Sequence, residues 1–254
     1  MERMVWIHNN LDDFNEFAAS NVANVLTQAI RLQGYANFLL SGGSTPVGVY
    51  QALASDQFRG LVDWKEVHFF WGDERCVPPD NESSNYKKAF EVLLSNIPAD
   101  SQKTHRIKGE LDPKDAAEDY RHLLANLAPA GMSWPIFDVA LMGLGEDGHT
   151  ASLFPGSINP DENTSPVIPV TANYQNRPAH RVTLTPLAFN TSRNVIFLAA
   201  GESKAVALQK ALSDDEDLEN IPIHRIRPTA GIIIWHIDAS AANQIKKVKI
   251  YEKF

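Results

Sequence analysis

Short apolar runs, each emptying into a loop of glycine and charge, set the terms for this chain. Asn37-Phe38-Leu39-Leu40, Val67-His68-Phe69-Phe70-Trp71, Phe137-Asp138-Val139-Ala140-Leu141-Met142 and Asn194-Val195-Ile196-Phe197-Leu198-Ala199-Ala200 have the length and side chains of buried strands. Between them lie stretches of helical period. Leu11, Phe14, Phe17, Ala18, Val22, Val25, Leu26, Ala29 and Ile30 mark a long amphipathic helix, with Asp12, Asp13 and Glu16 at its positive end and Gly34 placed to stop it. Strands alternating with helices predict an α/β fold, a mostly parallel sheet with helices on both faces. Ligands of such sheets bind beyond the carboxyl ends of the strands, so the loops found there should gather into one site.

The loop Gly143-Leu144-Gly145-Glu146-Asp147-Gly148-His149 has the means to do chemistry. Its glycines let the backbone approach a ligand, while Asp147 and His149 offer an acceptor and a titratable base two residues apart. The plainer alternative is a turn with a surface histidine. Ser41-Gly42-Gly43-Ser44-Thr45-Pro46 opens a helix whose inner face is Val49, Tyr50 and Leu53. The N–H groups of that helix start and the hydroxyls of Ser44 and Thr45 form an anion cradle, and Pro46 suits the first turn. Neither a Walker lysine nor a G-x-G-x-x-G spacing is present, and the simpler reading is a helix cap from Ser44 or Thr45.

Gly72-Asp73-Glu74-Arg75 puts charge directly after a buried strand. A surface ion pair is the commoner fate of such charges, but the position favours Arg75 as a planar fork for an anionic substrate, with Asp73 orienting it or acting as a base. Cys76 reads as a small buried hydrophobe rather than a nucleophile. Lys204 falls in the first turn of a helix, where a cation opposes the macrodipole unless an anion neutralises it. Between Pro155 and Pro178 the chain carries Pro160, Pro166 and Pro169 with little periodicity, which predicts a binding loop or lid beside His149.

Composition narrows the partners. With 254 residues and 44% hydrophobic residues the chain can bury a sizeable core, and it is read as a single domain over residues 1–254. The single Cys76 excludes an internal disulfide framework and a multi-cysteine zinc site, so a reduced compartment is expected and no metal is implied. No run approaches the length of a membrane span and the first residues do not form a secretion signal, so neither secretion nor anchoring is expected. The formal charge of -8 leaves the terminal Lys246-Lys247-Val248-Lys249 as the basic patch, which argues against nucleic acid as a partner. A small anion would have to be held by local donors.

Ser41-Gly-Gly-Ser-Thr-Pro46, Trp71-Gly-Asp-Glu-Arg-Cys-Val77, Ser84-Asn-Tyr86, the stretch from Gly143 to Pro155 and Arg181-Val-Thr-Leu-Thr185, in that order over almost the full chain, resemble the signature set of the 6-phosphogluconolactonases. The resemblance implies a Rossmann-like sheet, hydrolysis of 6-phospho-D-glucono-1,5-lactone in the oxidative pentose phosphate pathway, a cytoplasmic place, no metal or organic cofactor, and a monomer or dimer. It further implies His149 as general base, tuned by Asp147, with Arg75 or loop N–H groups as oxyanion donors. The substrate phosphate would lie on Gly42, Gly43, Ser44 and Thr45 with Arg181 and Lys204. The related glucosamine-6-phosphate deaminases resemble the same loop but carry a glutamate five residues after the histidine, where this chain has Phe154. A deaminase-like enzyme and a non-catalytic sugar-phosphate sensor are therefore the alternatives.

Overall fold

A computed structural model describes residues 3–156, 158–173 and 177–245; the basic patch at 246–249 lies outside the described residues, as do residues 157 and 174–176 of the proline-rich stretch. β1 (Arg3–His8) enters α1 (Leu11–Gln33) through Asn10, whose side chain accepts from the N–H of Asp13. Gly34 caps the other end, as its position predicts. There follow β2 (Ala36–Leu40), α2 (Thr45–Ala54), β3 (Val67–Trp71), β4 (Asp73–Arg75), α3 (Asn85–Val92), β5 (Thr104–His105), α4 (Pro113–Asn126) and β6 (Val139–Gly143). The second half contributes β7 (Val167–Thr171), β8 (His180–Leu184), α5 (Pro186–Phe189), β9 (Asn194–Ala199), α6 (Ala205–Ala211) and β10 (Ile232–Asp238).

A 7-stranded parallel sheet runs β1-β10-β9-β6-β2-β3-β5 and is flanked by helices, giving the α/β fold that the alternation of strand and helix predicts and the Rossmann-like sheet that the resemblance implies. Chain order leads from β2 to β3 and β5 on one side, and from β6 to β9 and β10 on the other. Winding therefore reverses between β2 and β6, and the loops leaving these two strands diverge to open a crevice at their carboxyl ends. β2 is buried along its whole length, as expected of a central parallel strand covered on both faces. At the opposite edge Asp138, almost fully buried, accepts from the N–H of Asn37 at 2.8 Å and from Arg193 at 2.6 Å, tying the starts of three strands together.

Two stretches differ from the sequence expectation. Residues 73–75 are not a loop but β4, which joins β8 and β7 in a separate 3-stranded antiparallel sheet of order β4-β8-β7. The proline-rich stretch holds a 3-10 turn, Pro160–Asn163, and the strand β7, against which α4 packs. β7 lies at the edge of its sheet, where Pro169 can do without a ladder hydrogen bond.

Candidate active site

The segments after β2, β3, β6 and β9, of which the second is β4, come from neighbouring strands and wall a cavity of about 400 Å³. Lining it are Gly42, Gly43, Ser44, Thr45, Asp73, Arg75, His149, Arg181 and Lys204. Asp147 stands behind His149. The sequence-derived site residues are thus brought to one place, although 163 positions separate Ser41 from Lys204 on the chain (204 − 41).

The first wall is the glycine loop. Tyr50 of α2 pins its base, the phenol oxygen accepting from the N–H of Ser41 at 2.9 Å and donating to the Ser41 carbonyl at 2.8 Å. Ser44 takes the position that would cap α2, yet its side chain makes no capping hydrogen bond. A β-carbon on Gly42 would lie 2.0 Å from the Asn85 side chain, so only glycine lets α3 close against this loop.

The second wall is β4. Asp73, expected to orient Arg75 or to act as a base, is buried, and its carboxylate accepts from Ser152 Oγ at 2.7 Å and from Asn85 Nδ2 at 3.1 Å. The Ser152 bond latches the His149 loop to β4. Glu74, to which the sequence reading gave no role, is buried and accepts from the N–H groups of Arg75, Asn85 and Tyr86 and from Ser84 Oγ. Burial pushes its carboxyl above the ordinary range, and these backbone donors oppose the shift. The helix start at Ser84-Asn85-Tyr86 was the available signal that a carboxylate was needed nearby. Arg75 donates to the Ser83 carbonyl at 2.7 Å and faces Arg181 across the β4–β8 ladder. Like charges so paired repel unless an anion lies between them.

The third wall is the loop after β6. His149 Nδ1 lies 2.5 Å from Asp147 Oδ1, and the same oxygen accepts from the His149 N–H at 3.1 Å. Asp147 thereby fixes Nδ1 as the ring nitrogen it engages. A β-carbon on Gly145 would lie 2.0 Å from His149 Nδ1, so the pair is seated directly on bare backbone. Lys204 closes the cavity from the loop after β9, with its Nζ 3.8 Å from Glu146. Lys88 and Arg177 also line the cavity and were missed. Lys88 lies on the α3 face of Asn85, one turn later, whereas Arg177 stands in a stretch without periodicity. Among the described residues no three His, Cys, Asp or Glu side chains gather to hold a metal ion, and no helix is long and apolar enough to cross a membrane.

The arrangement can hold a small anion between backbone and cations while presenting a carboxylate-backed imidazole to a second atom of the same molecule. Residues 9–235 match the model of the family described as glucosamine-6-phosphate isomerases/6-phosphogluconolactonase. A 6-phosphogluconolactonase of Synechocystis sp. is 36% identical over 89% of this chain and 91% of its own length. That of Haemophilus influenzae is 31% identical over 89% and 94%. Among solved structures, the 6-phosphogluconolactonase of Trypanosoma brucei superposes with a TM-score of 0.83 at 29% identity, covering 96% of this chain and 99% of that one.

Proposed function

Because this chain belongs to the family of glucosamine-6-phosphate isomerases and 6-phosphogluconolactonases, we propose that it hydrolyses 6-phospho-D-glucono-1,5-lactone to 6-phospho-D-gluconate. It is a carboxylic ester hydrolase of the oxidative pentose phosphate pathway, read as one domain over residues 1–254 that acts in the cytoplasm as a monomer or dimer on a small sugar phosphate. The observation that carries the reading is the Asp147–His149 pair beside an anion cradle in one cavity.

In this reading the phosphate rests on Gly42, Gly43, Ser44 and Thr45 and is neutralised by Arg181 and Lys204. The neutral imidazole of His149 takes a proton from water through Nε2 as the water oxygen adds to the lactone carbonyl carbon, and Asp147 at Nδ1 stabilises the imidazolium that forms. The carbonyl oxygen becomes an oxyanion, for which Arg75 and nearby loop N–H groups are the donors. The tetrahedral centre then expels the ring oxygen, which takes the proton back from His149, leaving a carboxylic acid that ionises and a free hydroxyl. Asp73, bonded to Ser152 and Asn85, serves by holding the His149 loop against β4.

A deaminase needs a further proton-carrying group, and Phe154 stands against His149 with ring centroids 5.5 Å apart where the related enzymes carry a glutamate. The deciding experiment measures hydrolysis of freshly generated lactone, with the spontaneous rate subtracted, for wild type beside His149→Ala. Turnover should fall by about 10²–10⁴-fold in the variant with its fold retained. A wild-type rate equal to background would overturn the lactonase reading and turn attention to deamination or simple ligand binding.

A further inference from the structure

Phe154 touches two residues that line the cavity, His149 and Arg181. Its ring meets the His149 imidazole at a centroid distance of 5.5 Å and an angle of 47°, and the Arg181 guanidinium carbon lies 5.7 Å from the centroid of the same ring. The backbone behind the ring is fastened from far along the chain. Arg225 Nη2 donates to the Phe154 carbonyl at 3.5 Å, and Arg225 Nη1 donates to both carboxylate oxygens of Glu162 at 2.9 and 2.8 Å. Both charged side chains are 5% exposed. Taking two charges out of water is costly, and this pair is carried by the 3-10 turns Pro160–Asn163 and Pro222–Arg225. What it holds is the turn that carries Phe154.

The front of that turn is equally constrained. Thr150 and Leu153 form a bridge, Thr150 Oγ1 donates to the Gly143 carbonyl at 2.8 Å, and Ser152 Oγ donates to Asp73 at 2.7 Å. Between them Ala151 is held at φ 50, a left-handed conformation that a side chain disfavours and that persists only where the surroundings determine it. The chain from His149 to Phe154 is therefore built to place one aromatic ring.

We propose that Phe154 is a positioning residue for the reaction: its ring, backed by the Glu162–Arg225 pair, sets the His149 imidazole and the Arg181 guanidinium at one fixed separation and angle. Asp147 engages the imidazole at Nδ1, and the Phe154 ring packs against it at a tilted angle, so that a change in the ring shifts the plane in which the imidazole is held. A cation over an aromatic face is attracted to it, so the same ring seats Arg181. Phosphate bound at Arg181 then brings the lactone carbonyl to the water held by His149, a registry in which an error of about 1 Å is expensive. This inference rests on reading His149 as base and Arg181 as phosphate ligand.

The test is steady-state kinetics of Phe154→Leu and Phe154→Tyr, with unfolding midpoints measured alongside and Phe154→Met replacing the leucine variant should that one not fold. Phe154→Leu should lower kcat by about 10- to 100-fold and also raise KM for the phosphorylated lactone, and Phe154→Tyr should restore both to within about 3-fold. A leucine variant within about twofold of wild type in both parameters, or a tyrosine variant no better than leucine, overturns the proposal. If wild type does not hydrolyse the lactone, the functional reading falls by itself, and positioning is read instead from the ¹⁵N resonances of the His149 imidazole. A displacement in Phe154→Leu that is reversed in Phe154→Tyr supports the proposal, and unchanged resonances overturn it.

Discussion

His149 and His236 each spend a ring nitrogen on a close partner, His149 on Asp147 at 2.5 Å and His236 on His8 at 3.0 Å. Their surroundings then part. His149 has a carboxylate behind it and a cavity in front. His236 and His8 stack at 5.2 Å, with Phe17 stacked on His8 and Phe14 against its edge, and both imidazoles are buried. Burial first, and the neighbouring His8 second, pull the His236 imidazole down to about 3. A histidine so placed stays neutral yet reaches no substrate. In the proposed reaction the first pair is equipped by a carboxylate acceptor at Nδ1 and by its place in the cavity lining.

The comparison breaks most severely at the seat of the first pair. Gly145→Ala would bring a β-carbon to 2.0 Å from His149 Nδ1 and 2.6 Å from Asp147 Oδ1, so the two side chains must leave their mutual hydrogen bond. Lactone turnover should fall by about 10²-fold or more, the scale of a displaced general base, with a melting temperature within a few degrees of wild type. Turnover near the wild-type value would mean that the Asp147–His149 bond is dispensable.

The second pair is tested through stability in acid. The folded His236 imidazole protonates near 3, whereas in the unfolded chain it protonates near the ordinary value of 6.5. Its neutral form therefore supports folding fully above about pH 6.5, and that support is lost as pH falls towards 3, at up to about 1.4 kcal/mol per pH unit. His105, held down to about 4 by burial and by His68, adds a parallel loss. Urea unfolding of wild type between pH 7 and pH 4.5 should show this decline. His236→Asn should be less stable at pH 7 but flatter in its pH dependence, by up to one proton's worth of slope. An equally steep profile in the variant would place the acid sensitivity elsewhere.

The difference between the two regions also marks what could be read before the fold was known. The strands β2, β3, β6 and β9 declare themselves by apolar runs closed by glycine or charge, and the segments that follow them hold the sequence-derived site residues Ser44, Asp73, His149 and Lys204. A parallel sheet must bring these loop ends to one edge, so finding the strands nearly finds the site. β4 and β5 escaped because three charged residues and two polar ones carry no period, and β7 because Pro166 and Pro169 argue against a strand unless it is known to be an edge. Glu74 and Ser152 escaped for another reason. Glu74 answers donors eleven and twelve positions on, for which the helix start at Ser84 was the signal, whereas Ser152 is bonded to Asp73 over 79 positions, a distance that leaves no local pattern. The buried His8–His236 contact is equally non-local and was not foreseen.

The smallest effect is expected at Cys76, which carries the same lesson to a different nucleophile. It adjoins Arg75, a residue of the cavity wall, and a cation beside a thiol ordinarily favours the reactive thiolate. Burial works the other way here, and so do the negative charges of Glu74 and Asp112, so the thiol is pushed up to about 11 from an ordinary 9.0. Two pH units correspond to a thiolate fraction lower by about 100-fold at neutral pH, and iodoacetamide should label Cys76 slower than a free cysteine by about that factor. Cys76→Ser should keep kcat/KM within about twofold of wild type, since the backbone N–H of residue 76 still donates to the His180 carbonyl and β4 keeps its place beside β8. Rapid labelling at pH 7.5 with loss of lactone hydrolysis would contradict this, because it would require an ionised thiol within reach of the cavity. Slow labelling with full activity would place Cys76 with His236, as a group capable of chemistry that the fold keeps in its neutral form.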